Sequence, residues 1–165
     1  MRKTMLLVLG AALLAGPAAA DRGQAGDSAN QDRGVQAARH FAVVEAALQT
    51  CEVHADMLGE ITKRQELYDE PHGTLFVQNL KKALADGTGH LQHLEPLLQG
   101  DEERRLYDRV RQHMQGAQGR IGTLESSLGD VGKLRSEAQS IERACDDGQD
   151  PLDDLAEKMK APIDL

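Results

Sequence analysis

Apolar residues recur along most of the chain at alternating spacings of three and four, which is the spacing of one face of an α-helix. The first such stripe consists of Ala37, Phe41, Val44, Leu48, Cys51, Ala55 and Leu58. It predicts a first helix from about Val35 to about Tyr68. Pro71-His72-Gly73 follows, and we expect this tripeptide to break the helix.

A second stripe keeps one helical register across two glycines. It consists of Val77, Leu80, Leu84, Gly87, Leu91, Leu94 and Leu98. Each of Gly87 and Gly89 costs about 1 kcal/mol relative to alanine inside a helix. We therefore predict one kinked helix, with a break at these glycines as the alternative. Pro96 disfavours helical angles at the preceding residue, so the helix should end near Glu95.

Two further stripes and a short amphipathic segment complete the helical pattern. The third stripe is Tyr107, Val110, Met114, Ala117, Ile121, Leu124 and Leu128, and the fourth is Val131, Leu134, Ala138, Ile141 and Cys145. Gly129 and Asp130 between them fit a helix C-terminus and the next N-cap. Asp150 and Pro151 then predict the N-cap and first residue of a terminal helix. Its apolar positions are Leu152, Leu155, Ala156 and Met159.

These elements predict an all-α protein, because no segment alternates apolar and polar residues as a strand does. Four amphipathic helices joined by short turns predict an antiparallel up-down-up-down four-helix bundle over residues 35–148. A short C-terminal amphipathic helix and tail occupy residues 149–165. The alternative is a longer helical hairpin that completes its core by forming a homodimer.

Residues 1–20 have the pattern of a secretory signal peptide. Arg2 and Lys3 precede an apolar stretch, and Ala18-Ala19-Ala20 supplies the small residues of a cleavage site before Asp21. The apolar stretch is shorter than the roughly 20 residues that span a bilayer. We therefore expect a mature protein that is periplasmic or secreted and has no membrane insertion after cleavage.

Residues 21–34 follow this leader and contain little that could be buried. Their only apolar side chains are two alanines, among many Gly, Asp and Asn residues. Such a segment cannot offset the entropy lost on ordering, so the composition predicts a disordered spacer.

Composition narrows the range of partners. The chain of 165 residues has a formal net charge of −8 and 2% aromatic residues. Nucleic acids and anionic membrane surfaces attract basic patches, so an acidic chain argues against both. The remaining expectation is a protein partner of unknown identity.

Cys51 and Cys145 are the two cysteines of the chain, and we predict that they form a disulfide. In the predicted bundle Cys51 lies about 25 Å from the end of helix 1, and Cys145 lies about 22 Å from the adjoining start of helix 4. Both are on apolar stripes of neighbouring helices. A bridge closing so long a loop would stabilise the fold by about 4–5 kcal/mol on the chain-entropy model.

Six histidines raise the question of a metal site. His54 and His90 flank the stripes of helices 1 and 2 at similar predicted heights, so they are the candidate pair. His40 and His113 hold equivalent flanking positions, and His93 is predicted to point outward. A metal site needs three or four converging ligands. With only two in view, we expect neither a metal site nor any other cofactor.

No catalytic motif accompanies the bundle pattern. The chain has no G-x-S-x-G, no H-E-x-x-H and no phosphate-binding loop. The sequence therefore favours an exported, non-enzymatic helical bundle that acts through protein contacts or as a structural component of the envelope. The alternative is a small metal- or haem-binding bundle, in which Met57 or Met114 would join a histidine as an axial ligand.

Overall fold

The computed structural model describes residues 21–162, apart from the side chains of residues 21–30 and of Gln65. The predicted leader, residues 1–20, and residues 163–165 lie outside the described part. The helices are α1 (Asp21–Lys63), α2 (Glu70–Leu94), α3 (Gly100–Ser126), α4 (Val131–Asp146) and α5 (Gln149–Lys158). Short 3-10 turns at Gln65–Leu67 and Glu95–Leu97 follow α1 and α2. Between residues 21 and 162 there is no strand, so the all-α prediction is confirmed.

The four long helices pack around one core, and α5 closes one side of it. α1 packs against α2 and α4, α3 packs against the same two helices, and α5 packs mainly against α3 and α1. The predicted stripes form this core, since nearly every stripe residue is buried; Leu128 and Val131 are half-buried. The helical period of the sequence therefore identifies the buried face of each helix.

α1 begins at Asp21, earlier than the predicted start near Val35, and so includes residues 21–34, for which the composition predicts a disordered spacer. Arg33 donates a hydrogen bond to the Glu103 carboxylate at 2.7 Å and another to the Leu97 carbonyl at 3.2 Å. Gly34 lies so close to the residues after α5 that an added Cβ would overlap the Lys160 carbonyl oxygen. These contacts are distant in sequence, and composition cannot reveal them.

The break between α1 and α2 also differs from the prediction. α1 ends at Lys63, and Pro71-His72-Gly73 lies inside the first turn of α2. Asp69 is the N-cap and accepts a hydrogen bond from the His72 amide at 2.8 Å. A proline near the helix start loses no hydrogen bond, because the first amides have no partner within the helix. The tripeptide therefore starts a helix where a break was expected.

α2 is one helix through Gly87 and Gly89, as predicted. The two glycines have different surroundings. A Cβ at Gly87 would lie 2.6 Å from Ala47 Cβ and 2.7 Å from Met114 Cε, whereas one at Gly89 would meet nothing within 4 Å. Gly87 thus permits the close approach of α1 and α3 to α2.

The ends of α4 and α5 are set locally. Asp130 caps α4 by accepting a hydrogen bond from the Lys133 amide at 3.1 Å, which confirms the predicted cap. α5 begins at Gln149 with Gly148 as its N-cap, so the predicted cap at Asp150 is wrong by two residues. Of the helices described, none has a stretch long and apolar enough to cross a bilayer.

Candidate functional site

α1 contacts the rest of the bundle along two lines that differ in chemistry. We call the contact of α1 with α4 and α5 the disulfide seam, and the contact of α1 with α2 the histidine seam. Cys51 and Cys145 define the first. His40, His54 and His90 lie along the second.

The disulfide seam contains the predicted cysteine pair. The sulfur atoms of Cys51 and Cys145 are 2.10 Å apart, at disulfide-bond distance, and the Cα atoms are 6.1 Å apart. Both residues are completely buried. The bridge therefore belongs to the core of the bundle.

Carboxylates line the outside of this seam. Burial raises the pKa of Glu142 above its ordinary value, and the negative charges of Asp56 and Glu52 raise it further. Burial likewise raises the pKa of Asp153, with Glu45 of α1 as the largest charged contributor. We call this surface the acidic rim, and it consists of Glu45, Glu52, Asp56, Glu142, Asp146, Asp150, Asp153 and Asp154.

On the histidine seam, the predicted pairing of His54 with His90 is wrong. His54 Nδ1 lies 2.8 Å from the Thr50 carbonyl oxygen, and its Nε2 lies 3.4 Å from Asn79 Nδ2. Since α1 ends at Lys63 and α2 begins at Glu70, His54 is about 14 Å from one end of the seam and His90 about 30 Å. The two are therefore at different heights.

His90 instead meets two histidines that were not paired with it in the sequence-based prediction. His40 Nδ1 and His90 Nδ1 are 3.1 Å apart. The ring centroid of His93 is 5.0 Å from that of His40 and 6.2 Å from that of His90. His40 and His90 are half-buried and His93 is exposed. We call this group the histidine cluster.

The surroundings of the cluster favour the neutral form of His40. Burial lowers the pKa of His40, and the positive charges of His90, His93 and Arg39 lower it further. The signal available in the sequence was the spacing of His90 and His93, which puts both on one face of α2. Placing His40 opposite them requires the true end of α1 and the true start of α2.

A groove of about 410 Å³ occupies the histidine seam on the side of His54. Its lining residues are Val43, Ala46, Ala47, Thr50 and His54 of α1, and Asn79, Lys82, Ala83 and Asp86 of α2. The small side chains of Ala46, Ala47 and Ala83 leave this space unfilled.

Apolar side chains outside the core extend the groove surface along α1. Val53 is 52% exposed and Met57 45% exposed. They continue the helical row of Val43, Ala46 and Thr50, which have spacings of three and four. We call these five residues the apolar row.

The candidate haem ligands do not share an environment. Met57 is exposed, whereas Met114 is buried next to Gly87 in the core. In the described part of the chain, no group of three or more His, Cys, Asp or Glu side chains has an arrangement that could hold a metal ion.

Comparisons of the chain with protein-family models, with curated proteins and with solved structures gave no match. The functional inference therefore depends on the surfaces themselves.

Proposed function

We propose that the protein is an exported, non-enzymatic helical bundle that binds a partner protein through the apolar row and the adjoining groove. The observation that carries this proposal is the apolar row, because it lies on the surface of a helix whose opposite face already supplies the core. Exposed apolar surface bordered by polar residues is typical of interaction sites.

An antiparallel up-down-up-down order of the four helices is part of this proposal. The cross-helix contacts support it, because residue numbers fall along one helix as they rise along its neighbour. Asn79 lies beside His54, and His90 lies beside His40, farther along α2 but earlier in α1. The same trend relates α1 to α4, where Arg135 donates a hydrogen bond to the Thr62 carbonyl and Cys145 joins Cys51.

The groove between two helices suits a third helix. An amphipathic helix can place its apolar side chains in such a groove at positions i, i+3, i+4 and i+7. Leu75 of α2, 54% exposed, adds a further apolar side chain on the α2 side. We therefore propose an amphipathic helix of the partner as the bound element.

The carboxylates of α1 indicate which charges the partner helix should have. Glu45, Glu52 and Asp56 each come one residue before a member of the apolar row and so lie about 100° around α1 from it, on the side of α4 and α5. A partner helix on the row would have one flank toward these carboxylates. Lys or Arg on that flank would complement them and increase the association rate at low salt.

Export through the leader at residues 1–20 completes the proposal. The small residues before Asp21 support cleavage after Ala20. Intact-mass measurement of the protein recovered from the periplasm or culture medium should give a chain that starts at Asp21. Recovery of exported protein that retains Met1 would contradict this cleavage.

Site-specific photocrosslinking tests the proposed surface. A photoreactive amino acid at Val53 or Met57 should capture a partner in the exporting cell, and the captured peptide should be an amphipathic helix with basic residues on one flank. Gln112, exposed on α3, is the matched control position and should capture little.

The same experiment can contradict the proposal. Equal capture from Val53 and Gln112 would show that the row has no special contact. Crosslinks from Val53 to a second copy of the chain would replace the partner protein with a homodimer. A Met57→Lys variant that unfolds like the parent protein should lose the Val53 crosslink.

A further inference from the structure

We propose that the histidine cluster is a binding site for a late transition-metal dication such as Zn²⁺ or Cu²⁺, with His40, His90 and His93 as its three protein ligands. This inference is independent of the proposed partner contact. It also departs from the expectation drawn from the sequence, which considered His54 with His90 and expected no metal site.

The two closest nitrogens already have the separation of a metal-bound pair. Zinc binds imidazole nitrogen at about 2.0–2.1 Å in a tetrahedral arrangement, which puts two such nitrogens about 3.3 Å apart. His40 Nδ1 and His90 Nδ1 are 3.1 Å apart. An ion can therefore bind both nitrogens once the two rings turn so that their lone pairs converge on it, with little change in the distance between the nitrogens.

The third imidazole, that of His93, lies close to the other two and is free to turn. Imidazole rings on one tetrahedral ion have centroids about 5 Å apart. The centroid distances in the cluster are 5.2 Å for His40 with His90 and 5.0 Å for His40 with His93, but 6.2 Å for His90 with His93. The three rings as they stand therefore do not form a metal site, and the ring of His93 has to move toward that of His90. His93 is exposed, so its ring can turn to bring a nitrogen to the point that the other two share.

The placement of the residues on the helices keeps the three ligands together. His90 and His93 are three residues apart on α2 and so lie on neighbouring turns of one face. His40 comes from α1, which packs along α2. Three ligands from two packed helices leave a fourth position open for water or another small ligand.

Metal binding fixes the tautomer that each ligand ring must adopt. Metal ligation needs a neutral imidazole with its proton on the other ring nitrogen. When both Nδ1 atoms bind the ion, each ring carries its proton on Nε2. The hydrogen bond between the two Nδ1 atoms is then replaced by two bonds to the metal.

The positive charge of Arg39 opposes the binding of a cation at the cluster. Its guanidinium repels protons from His40, and it must also repel a dication. Because Arg39 is exposed, its side chain can move into solvent. An Arg39→Gln variant should bind the ion more tightly than the parent protein.

Titration of the full disulfide-bonded chain with Zn²⁺ after chelator treatment tests the site. We expect one ion per chain. His40→Gln or His90→Gln should weaken binding at least about tenfold, because two ligands alone make an open site. His54→Gln is the matched control, since His54 lies on the same seam but outside the cluster, and it should leave the affinity unchanged.

A second measurement counts the ligands. The electron paramagnetic resonance spectrum of the Cu²⁺ complex should show three bound imidazole nitrogens, and His93→Gln should reduce them to two. His93 is exposed, so its replacement should not alter the unfolding of the metal-free protein.

Several outcomes would overturn the site. One is the absence of saturable Zn²⁺ or Cu²⁺ binding to the parent protein. Another is binding that His54→Gln weakens as much as His40→Gln. A Cu²⁺ spectrum that does not change in His93→Gln would exclude His93 and with it the three-ligand site.

Discussion

The disulfide seam and the histidine seam both lie along α1, but different kinds of residue form them. On one side, Cys51 is joined to Cys145 inside the core, and carboxylates repel each other outside it. On the other side, alanines and Gly87 let the helices approach, and the space beyond them stays open as a groove. The disulfide fixes α1 to α4 along the disulfide seam. The histidine seam therefore needs no covalent link and can expose imidazoles and apolar side chains to a ligand.

Removing the disulfide should have the largest effect on the free energy of unfolding. A Cys51→Ala/Cys145→Ala double variant should lose about 2–5 kcal/mol of unfolding free energy, as expected for a native disulfide that closes a long loop. Urea unfolding of the variant and of the parent protein gives the difference. The reduced parent protein is the control and should resemble the variant. A loss below about 1 kcal/mol would mean that the buried bridge contributes little to the stability of the fold.

Close packing on the histidine seam should give the next largest effect. Gly87→Ala should destabilise the protein by about 1–3 kcal/mol, because the new methyl group overlaps Ala47 and Met114. Gly89→Ala is the matched control two residues away. It should stabilise the protein by about 0.5–1 kcal/mol through helix propensity alone. Thermal or urea unfolding of both variants tests this, and equal gains for both would show that α1 and α3 can move away from α2.

Removing a charge from the acidic rim should have the smallest effect on the free energy of unfolding. The pKa of Glu142 is raised in the folded protein, so its ionised form destabilises the fold above the folded pKa. That penalty disappears as the pH falls below the ordinary value of 4.5. Glu142→Gln should therefore stabilise the protein at pH 7 by less than about 1 kcal/mol, since solvent screens a partly exposed group. The gain should vanish near pH 4 and shrink at high salt.

Glu137 provides the control for this prediction. It lies on the same helix, but its carboxylate is 3.1 Å from the Arg120 guanidinium. Glu137→Gln should therefore give no stabilisation at pH 7. A stabilisation as large as that of Glu142→Gln would assign the effect to total charge and not to the rim.

The sequence predicted the core better than the helix ends. Periodicity depends on which residues avoid water, so residues such as Phe41, Leu84 and Ile141 could be assigned to the core without knowing any contact. Contacts distant in sequence, which periodicity cannot reveal, also involve α1. Arg33 of α1 pairs with Glu103, and Arg135 of α4 donates a hydrogen bond to the Thr62 carbonyl in the last turn of α1.

The same difference explains why the cysteine pair was predicted and the histidine cluster was not. The expected end of helix 1 was five residues too late. For Cys51 and Cys145 the corrected distances from the shared bundle end are about 18 Å and 21 Å, so the pair still matches. For His54 and His90 the match depended on both the end of α1 and the start of α2. The true ends at Lys63 and Glu70 place the two histidines about 14 Å and about 30 Å from the shared end.

The disulfide also has a consequence for limited proteolysis. Gln99 and Gly100 are exposed where α3 begins, and Gly100 adopts a positive φ of 78°. Cys51 and Cys145 lie on opposite sides of these two residues in the chain. A single cut there would leave one fragment with α1 and α2 and another with α3 to α5, still joined through sulfur. The nicked protein would keep its mass apart from one added water, and the two fragments would separate only after reduction.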